Sequence, residues 1–410
     1  MTMTWADGHC QFEQVPFRRV FEQVRRVVPP DAEMVTAYTD GQVTLRSNRS
    51  KTGYHEASDF SGYQGVVPGD FVVHGLDILR GSVGVSDAAG AITSVCTICR
   101  PRIECDPRYF AYAIRAQAMS GLPRALAKGV REGGADFRRW DTLAELPLPL
   151  PSPPEQRAIA DFLDTETARI DALITKKRRL IELLTEADRA LVDDVFGRSY
   201  ERSTVRLARL ARLQTGLTLD SARGVESGAV TLPYLRVANV QADRVDFAEI
   251  KEVTVPSELA DRCRLRPGDV LMTEGGDLDK LGRGTVWAAE IPECLHQNHV
   301  FAVRPDRARL LPEFLAMLTR TSFARKYFES TGTRSTNLAS TNSSKVLDFR
   351  VPLVGVERQR TALDRYAQRA GRLIQCGRAL AEQIDLLVEY RQALITAAVT
   401  GELEIPRVAA

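Results

Sequence analysis

Residues 155–196 carry apolar side chains every three to four positions, and neither glycine nor proline interrupts the stretch. Such spacing places these side chains on one face of an α-helix. The pattern predicts a single helix of about 42 residues, roughly 60 Å long at ~1.5 Å per residue. That length is typical of a spacer rather than of a compact core. We expect the buried row of this helix, called the seam below, to contain Ile159, Leu163, Ile170, Leu173, Leu180, Leu184, Ala187, Leu191 and Val195.

A second stretch of the same kind lies near the end of the chain, over residues 354–402. Its apolar side chains again recur every three to four positions, which predicts a second long helix. Small side chains at two of these positions would let a partner helix approach closely. We expect the second seam to contain Leu363, Tyr366, Ala370, Leu373, Gly377, Leu380, Ile384, Leu387, Leu394 and Ala398.

The two halves of the chain repeat each other. Pro68-Gly69-Asp70 recurs 199 residues later as Pro267-Gly268-Asp269, and each copy lies between β-rich apolar segments. Gln156-Arg157 recurs 203 residues later as Gln359-Arg360. The repeat predicts a duplicated unit of about 200 residues, a mixed β/α globule followed by a long helix. The predicted domains are 1–150 (first globule), 151–200 (central helix), 201–353 (second globule) and 354–402 (C-terminal helix), with a tail at 403–410.

Connectivity determines how two such helices can bury their seams. The shortest arrangement has the second helix running back antiparallel along the first. We therefore predict an α+β fold, with two similar globules separated by two long antiparallel helices that form a coiled-coil spacer. The alternative is that each helix pairs with another copy of the chain. Two seams within one chain meet at a higher effective concentration, which favours the intramolecular pairing.

Composition adds little about partners. The chain has 410 residues and a net charge of +2, with 47 arginines against 8 lysines. Arginine suits bidentate recognition of guanine and phosphate, although a GC-rich genome produces the same bias. Seven cysteines at scattered positions fit reduced thiols. The N-terminal stretch lacks a signal-peptide core, and no run of about 18 apolar residues occurs, so we expect a cytoplasmic protein with no membrane partner.

The sequence lacks the motifs of common catalytic sites. It has no Gly-x-x-x-x-Gly-Lys-Ser/Thr loop, no Gly-x-Gly-x-x-Gly after a strand, no Asn/Asp-Pro-Pro-aromatic segment and no Gly-x-Ser-x-Gly. We therefore expect no catalytic role. Two groups of potential metal ligands each lack the second ligand pair that a structural zinc site needs, so we predict no metal. These groups are Cys96, Cys99 and Cys105, and Cys294, His296 and His299, and an enzyme with a metal at the second group remains an alternative.

Three polar loops carry side chains suited to DNA. Arginine recognises guanine, asparagine recognises adenine, and lysine, serine and threonine bind phosphates. The alternative for each loop is an ordinary solvated turn. The candidate DNA-binding residues are Arg46, Asn48, Arg49, Lys51, Tyr54 and His55 in the first loop (46–59), Lys280 and Arg283 in the second (275–284), and Arg334, Asn337, Asn342 and Lys345 in the third (330–345).

The chain resembles a known family in these and neighbouring segments, namely the DNA-specificity subunit of type I restriction-modification systems. The likeness covers nearly the whole chain, and the order, spacing and duplication of the segments agree. One departure is VGVERQRTALDRYAQRA (354–370), which keeps Gln359-Arg360 but replaces the acidic start and the apolar residues found at 155–163. The resemblance rests on YTDGQVTLRSNRSKTGYHEASDFSGYQGVVPGDFVV (38–73), PYLRVANVQ (233–241), PGDVLMTEGGDLDKLGRG (267–284), LHQNHVFAVRP (295–305), TNLASTNSSKVLDFRVPL (336–353) and ALITAAVTGEL (393–403).

The resemblance implies a non-catalytic subunit that binds double-stranded DNA. Two target-recognition domains would each recognise half of a bipartite, asymmetric site, and the helices would set the gap and dock two methyltransferase subunits. Those partners would use S-adenosylmethionine to methylate adenine, and motor-nuclease subunits using ATP and Mg²⁺ would join for cleavage. This chain itself would bind no cofactor. The alternative from another class is a cytoplasmic scaffold whose two globules bind proteins.

Overall fold

The computed structural model describes residues 10–49, 60–120, 130–131, 134–135, 137–201, 203–218, 228–241, 244–276, 281–334 and 339–405. The chain forms two compact units, each of which combines one globule with segments of the two long helices. Unit 1 comprises residues 1–177 and 382–410, and unit 2 comprises residues 178–381. The predicted domain boundaries stay a prediction, because the division into compact units places each globule together with parts of both long helices.

Unit 1 is built on an antiparallel sheet with the strand order β2-β9-β6-β7, and β1 pairs with β12 beside it. Phe21 and Phe71 stack in its core, with their ring centroids 4.4 Å apart. The helices of this globule are α1 (Phe17–Val20), α2 (Pro107–Ser120) and α3 (Trp140–Leu143). Its strands are β1 (Gln14–Pro16), β2 (Phe21–Val24), β3 (Val35–Ala37), β4 (Val43–Leu45), β5 (Gln64–Val66), β6 (Phe71–His74), β7 (Val83–Val85), β8 (Gly90–Ile92), β9 (Cys96–Pro101), β10 (Val130–Arg131), β11 (Gly134–Ala135) and β12 (Pro147–Pro149).

The central helix, α4, extends over Pro153–Phe196 and contains 44 residues, which confirms the predicted long helix. Proline suits its first turn because no intrahelical donor is needed there. The backbone N–H of Ser152 donates to the Glu155 carboxylate at 3.0 Å, which caps the helix start. Gln156 is fully buried, donating to the Pro151 carbonyl and accepting from the Asp106 backbone N–H. These bonds attach the first turn of α4 to the globule.

Unit 2 repeats this topology. Its main antiparallel sheet has the order β14-β21-β17-β19, and β13 pairs with β24 beside it, so the predicted duplication is confirmed. Its helices are α5 (Ser257–Cys263), α6 (Pro312–Thr319), α7 (Ser322–Thr331) and α8 (Ser343–Asp348). Its strands are β13 (Thr204–Arg206), β14 (Ala211–Thr215), β15 (Ala229–Leu235), β16 (Lys251–Pro256), β17 (Val270–Thr273), β18 (Gly275–Gly276), β19 (Gly284–Val286), β20 (Leu295–His296), β21 (Val300–Pro305), β22 (Thr333–Arg334), β23 (Ala339–Ser340) and β24 (Arg350–Pro352).

The second long helix, α9, extends over Val356–Thr400 and contains 45 residues. Gln359 repeats the role of Gln156. It is 1% exposed, accepts from the Leu311 backbone N–H at 2.8 Å, and donates to the carbonyl oxygens of Arg309 and Val354. The first turn of α9 is therefore attached to its globule despite the departure in the sequence around it.

The repeated Pro-Gly-Asp segments form the same turn in both units. Gly69 and Gly268 adopt φ angles of +89° and +86°, the left-handed conformation that a type II turn requires after proline. The carboxylate of Asp70 accepts from the Val67 backbone N–H, and that of Asp269 accepts from the Arg266 backbone N–H, both at 2.9 Å. Each turn thus leads into the central strand β6 or β17.

The two long helices are antiparallel. Within unit 1, Asp171 of α4 pairs with Arg391 of α9 at 3.3 Å, and Lys177 donates to Gln383 at 2.5 Å. Residue numbers therefore rise along one helix as they fall along the other. Within unit 2, the Tyr366 hydroxyl donates to Asp188 at 2.7 Å.

The seam differs from its prediction at Leu173, which is 40% exposed. The prediction was wrong there, and Ile174, which is 6% exposed, occupies the buried position. Leu180 is likewise 48% exposed, beside the partly buried Ile181. The buried row of α4 follows a regular alternation of three- and four-residue steps, and this row includes the polar residues Lys177 and Asp188. The prediction considered apolar residues only and therefore did not include these two positions. Ala187 is also exposed, beside the partly buried Asp188, so the prediction was wrong there as well. Of the other expected seam residues, Ile159, Leu163, Ile170, Leu191, Val195, Ala370, Ile384 and Ala398 are buried, and Leu184, Leu363, Tyr366, Leu373, Gly377, Leu380, Leu387 and Leu394 are partly buried.

Candidate nucleic-acid interface

The second and third predicted loops meet in a small antiparallel sheet within unit 2, with the strand order β18-β23-β22. Gly275 pairs with Ser340, and Arg334 pairs with Ala339. The Thr341 backbone N–H also donates to the Glu274 carbonyl at 2.7 Å. Two segments separated by more than fifty residues therefore share one small sheet, which brings the second and third candidate loops together.

In the third loop, Arg334 lies in β22, and Asn337 lies outside the described residues. Asn342 is the N-cap of α8, where its side-chain oxygen accepts from the Lys345 backbone N–H at 2.9 Å. The Lys345 ammonium donates to the Thr333 hydroxyl at 3.2 Å. Asn342 therefore has a structural role that sequence reasoning did not assign, and its predicted contact with DNA stays a prediction.

In the second loop, Lys280 lies outside the described residues, and Arg283 lies just before β19. At the base of this loop, His299 Nδ1 and a Glu274 carboxylate oxygen are 2.5 Å apart. The backbone N–H of Glu274 also donates to the His299 carbonyl. These bonds hold the end of β17, where the second loop begins, beside the start of β21.

The first loop lies in unit 1. Arg46 and Asn48 form a 3₁₀ turn (Arg46–Asn48), and the Asn48 side chain donates to the Thr44 hydroxyl at 2.9 Å. Arg49 donates to Asp40 at 2.6 Å and lies over the Tyr38 ring, 4.2 Å from its centroid. A DNA contact by Arg49 would therefore compete with an existing ion pair. The loop's remaining candidates, Lys51, Tyr54 and His55, lie outside the described residues.

Unit 1 contains a counterpart of the third loop that sequence reasoning missed. Strands β10 and β11 form a hairpin, and the Phe137 backbone N–H donates to the Gly75 carbonyl at 2.8 Å, matching the bond from Thr341 to Glu274. This counterpart carries Arg131, followed by Arg138 and Arg139. Applying the offset of 203–204 residues to the third loop would have located it, since the offset points to the segment around residue 130.

The cysteine and histidine groups are parts of the fold. His296 is fully buried, its Nδ1 lies 2.7 Å from the Val300 carbonyl oxygen, and burial lowers its pKa. Burial raises the pKa of Cys96 to about 12, so its thiol stays protonated. Among the described residues, no group of three or more His, Cys, Asp or Glu side chains could hold a metal ion. Over the same ranges, no helix is both long and apolar enough to cross a membrane.

Sequence comparison finds two relatives, both described as specificity subunits of type I restriction enzymes. Over 196 residues the chain is 27% identical to the type I restriction enzyme EcoKI specificity subunit of Escherichia coli (strain K12), covering 43% of this chain and 40% of that protein. Over 129 residues it is 22% identical to the putative type I restriction enzyme MjaX specificity subunit of Methanocaldococcus jannaschii, covering 31% and 30%. The alignments thus span less than half the length of these relatives. No protein-family model matches the chain.

Comparison by structure extends further along the chain. A solved structure of a type I restriction-modification system aligns with a TM-score of 0.61 at 17% sequence identity, covering 96% of this chain and 98% of the other. This likeness shows the fold. The predicted resemblance to type I specificity subunits is therefore confirmed in sequence over part of the chain, and the fold matches that of a chain from a type I restriction-modification system over nearly all of it.

Proposed function

We propose that this chain is the sequence-specific DNA-binding subunit of a type I restriction-modification complex, in which each globule recognises one half of a bipartite, asymmetric site. The observation that carries the proposal is the duplication. Each unit has the same sheet order, and each carries a β-hairpin bonded to the end of its central strand. Sequence similarity to two specificity subunits supports this function over a protein-binding scaffold.

The proposal assigns the long helices two further roles, setting the gap between half-sites and docking two methyltransferase subunits. Both helices expose large apolar side chains, which is typical of protein-binding surfaces. Leu183 of α4 is 43% exposed, and Leu386 and Tyr390 of α9 are 63% and 55% exposed. The methyltransferase subunits would supply S-adenosylmethionine chemistry, and motor-nuclease subunits would supply ATP- and Mg²⁺-dependent cleavage, all in the cytoplasm.

The purified chain is expected to transfer no methyl groups to DNA by itself. Methylation should appear only when a separate methyltransferase subunit is added, because the proposed role is recognition and assembly. The measurement is transfer of labelled methyl groups from S-adenosylmethionine to genomic DNA of a strain lacking this gene, with each protein alone as the control. Turnover by the isolated, homogeneous chain would refute the proposal.

Replacing Arg334 by alanine should weaken recognition of one half-site, and replacing Arg131, its counterpart in unit 1, should weaken the other. We expect about 1–3 kcal/mol for a lost base contact and less for a lost phosphate contact. Binding is measured on duplexes altered in one half-site at a time. Arg360→Ala on the exposed face of α9 is the control and should change neither. If Arg334→Ala weakens both half-sites equally, the assignment of one half-site to each globule is wrong.

A further inference from the structure

Unit 2 contains a cavity of about 360 Å³ where its segments of α4 and α9 meet the globule. Four aliphatic residues line it and are called its floor below, namely Ile181 and Leu184 of α4 and Leu373 and Ile374 of α9. Gly377 lies beside them, and a Cβ atom built on it would meet no other atom within 4 Å. A glycine within the seam therefore leaves room for a side chain from elsewhere.

The charged residues that line this cavity, called its rim below, are mostly arginines. They are Arg189, Arg283, Arg320 and Arg325, with one acidic residue, Asp188. That carboxylate already accepts hydrogen bonds from Arg320 at 2.6 Å and from the Tyr366 hydroxyl at 2.7 Å. The cavity thus combines an apolar floor with more basic than acidic lining residues.

The corresponding position in unit 1 is built differently. At the repeat offset of 203 residues, Ile174 stands where unit 2 has Gly377, and Arg391 stands where unit 2 has Asp188. Ile174 is 6% exposed and fills its own seam, while Arg391 pairs with Asp171 at 3.3 Å. Two residues that shape the cavity of unit 2, Gly377 and Asp188, are therefore replaced at the matching positions of unit 1.

We propose that this cavity receives an aliphatic side chain from an acidic, amphipathic segment of the partner protein, with flanking Asp or Glu side chains pairing with the arginine rim. The inference rests on the proposed function and names the chemistry by which one methyltransferase subunit docks. Charge complementarity favours an acidic segment. A DNA backbone would satisfy the arginines but has no aliphatic group to cover the floor, and Ile374, 46% exposed, would remain in water.

The direct test is Gly377→Leu in the full chain, which fills the cavity while keeping its charges. We expect its affinity for one methyltransferase copy to fall by about tenfold or more, so that native mass spectrometry shows one bound copy instead of two. Gly371→Leu is the matched control on the same helix, since a Cβ there also meets no atom within 4 Å, and it should bind two copies. Both changes favour the helix, and circular dichroism verifies folding.

Arg325→Glu tests the rim and should also weaken methyltransferase binding by about tenfold. If Gly377→Leu and Arg325→Glu both bind two copies with unchanged affinity, the docking inference fails while the proposed function stands. If the unaltered chain binds no methyltransferase subunit, the proposed function itself fails. If Arg325→Glu instead lowers only the affinity for duplex DNA, the cavity is a DNA contact and the inference is overturned.

Discussion

Replacing Arg304 by alanine is expected to destabilise unit 2 by about 3–5 kcal/mol, because it leaves a buried carboxylate without its ion-pair partner. Asp269 is 0% exposed, and its two oxygens each accept a hydrogen bond from the Arg304 guanidinium at 2.7 Å. The same carboxylate closes the turn before β17 through the Arg266 backbone N–H. Hydrogen exchange in β17 and β21 should accelerate accordingly, while exchange in β6 and β9 should stay unchanged.

The duplication provides a matched control for this change. Arg100 occupies the position in β9 that Arg304 occupies in β21, but it pairs with Glu22 at the surface, where the side chains are 65% and 38% exposed. Arg100→Ala should therefore cost no more than about 1 kcal/mol. In unit 1 the buried carboxylate of Asp70 is paired with Arg26 instead. Equal losses for Arg304→Ala and Arg100→Ala would contradict the role assigned to the buried pair.

A seven-residue insertion in α4 alone, duplicating 171–177 after Lys177, is expected to unfold part of the protein. Both helices run through both units, so lengthening only one of them forces the other out of register in one unit. In unit 1 this would remove Ile395, Ala398 and Val399 of α9 from the core, where they are at most 2% exposed. The loss of several such contacts costs several kcal/mol. Limited proteolysis and thermal unfolding would measure it.

The matched variant carries the insertion in α4 and a second insertion in α9, a duplicate of residues 383–389 placed immediately before Gln383. Both helices then gain one heptad, and a new Lys177 meets a new Gln383 in the pairing that the unaltered chain shows at 2.5 Å. The seam register is preserved because seven residues correspond to about two helical turns. This variant should be as stable as the unaltered chain. If the single and the double insertion lower the stability equally, loss of seam register is not the cause of the destabilisation.

Much of the fold could be predicted because its signals are local or repeated. A helix of 44 residues shows its apolar period over many turns, and no glycine or proline interrupts it between residues 155 and 196. The Pro-Gly-Asp turn specifies its own conformation, since glycine alone adopts a positive φ without strain. Repetition of both features identified the duplication, and the shared sheet order follows from it.

The errors lie where tertiary partners outweigh local pattern. Leu173 and Ile174 are both apolar, so the sequence pattern does not distinguish them, and the pairing of Lys177 with Gln383 in α9 shows which face is buried. The partner of Asp70 is Arg26, which follows β2, whereas Asp269 pairs with Arg304, so the repeat alone does not identify the partner of the buried carboxylate. The hairpin carrying Arg131 was missed because its residues differ from those of the third loop, while its backbone position is the same.

Methylation mapping of the strain that carries the double-insertion variant tests the central claim most directly. If two globules recognise two half-sites and the paired helices set their separation, both half-sites should stay unchanged. The gap between them should grow by about three base pairs, because seven residues add roughly 10 Å and DNA rises ~3.4 Å per base pair. An active, folded variant that methylates sites with the original gap would contradict the account.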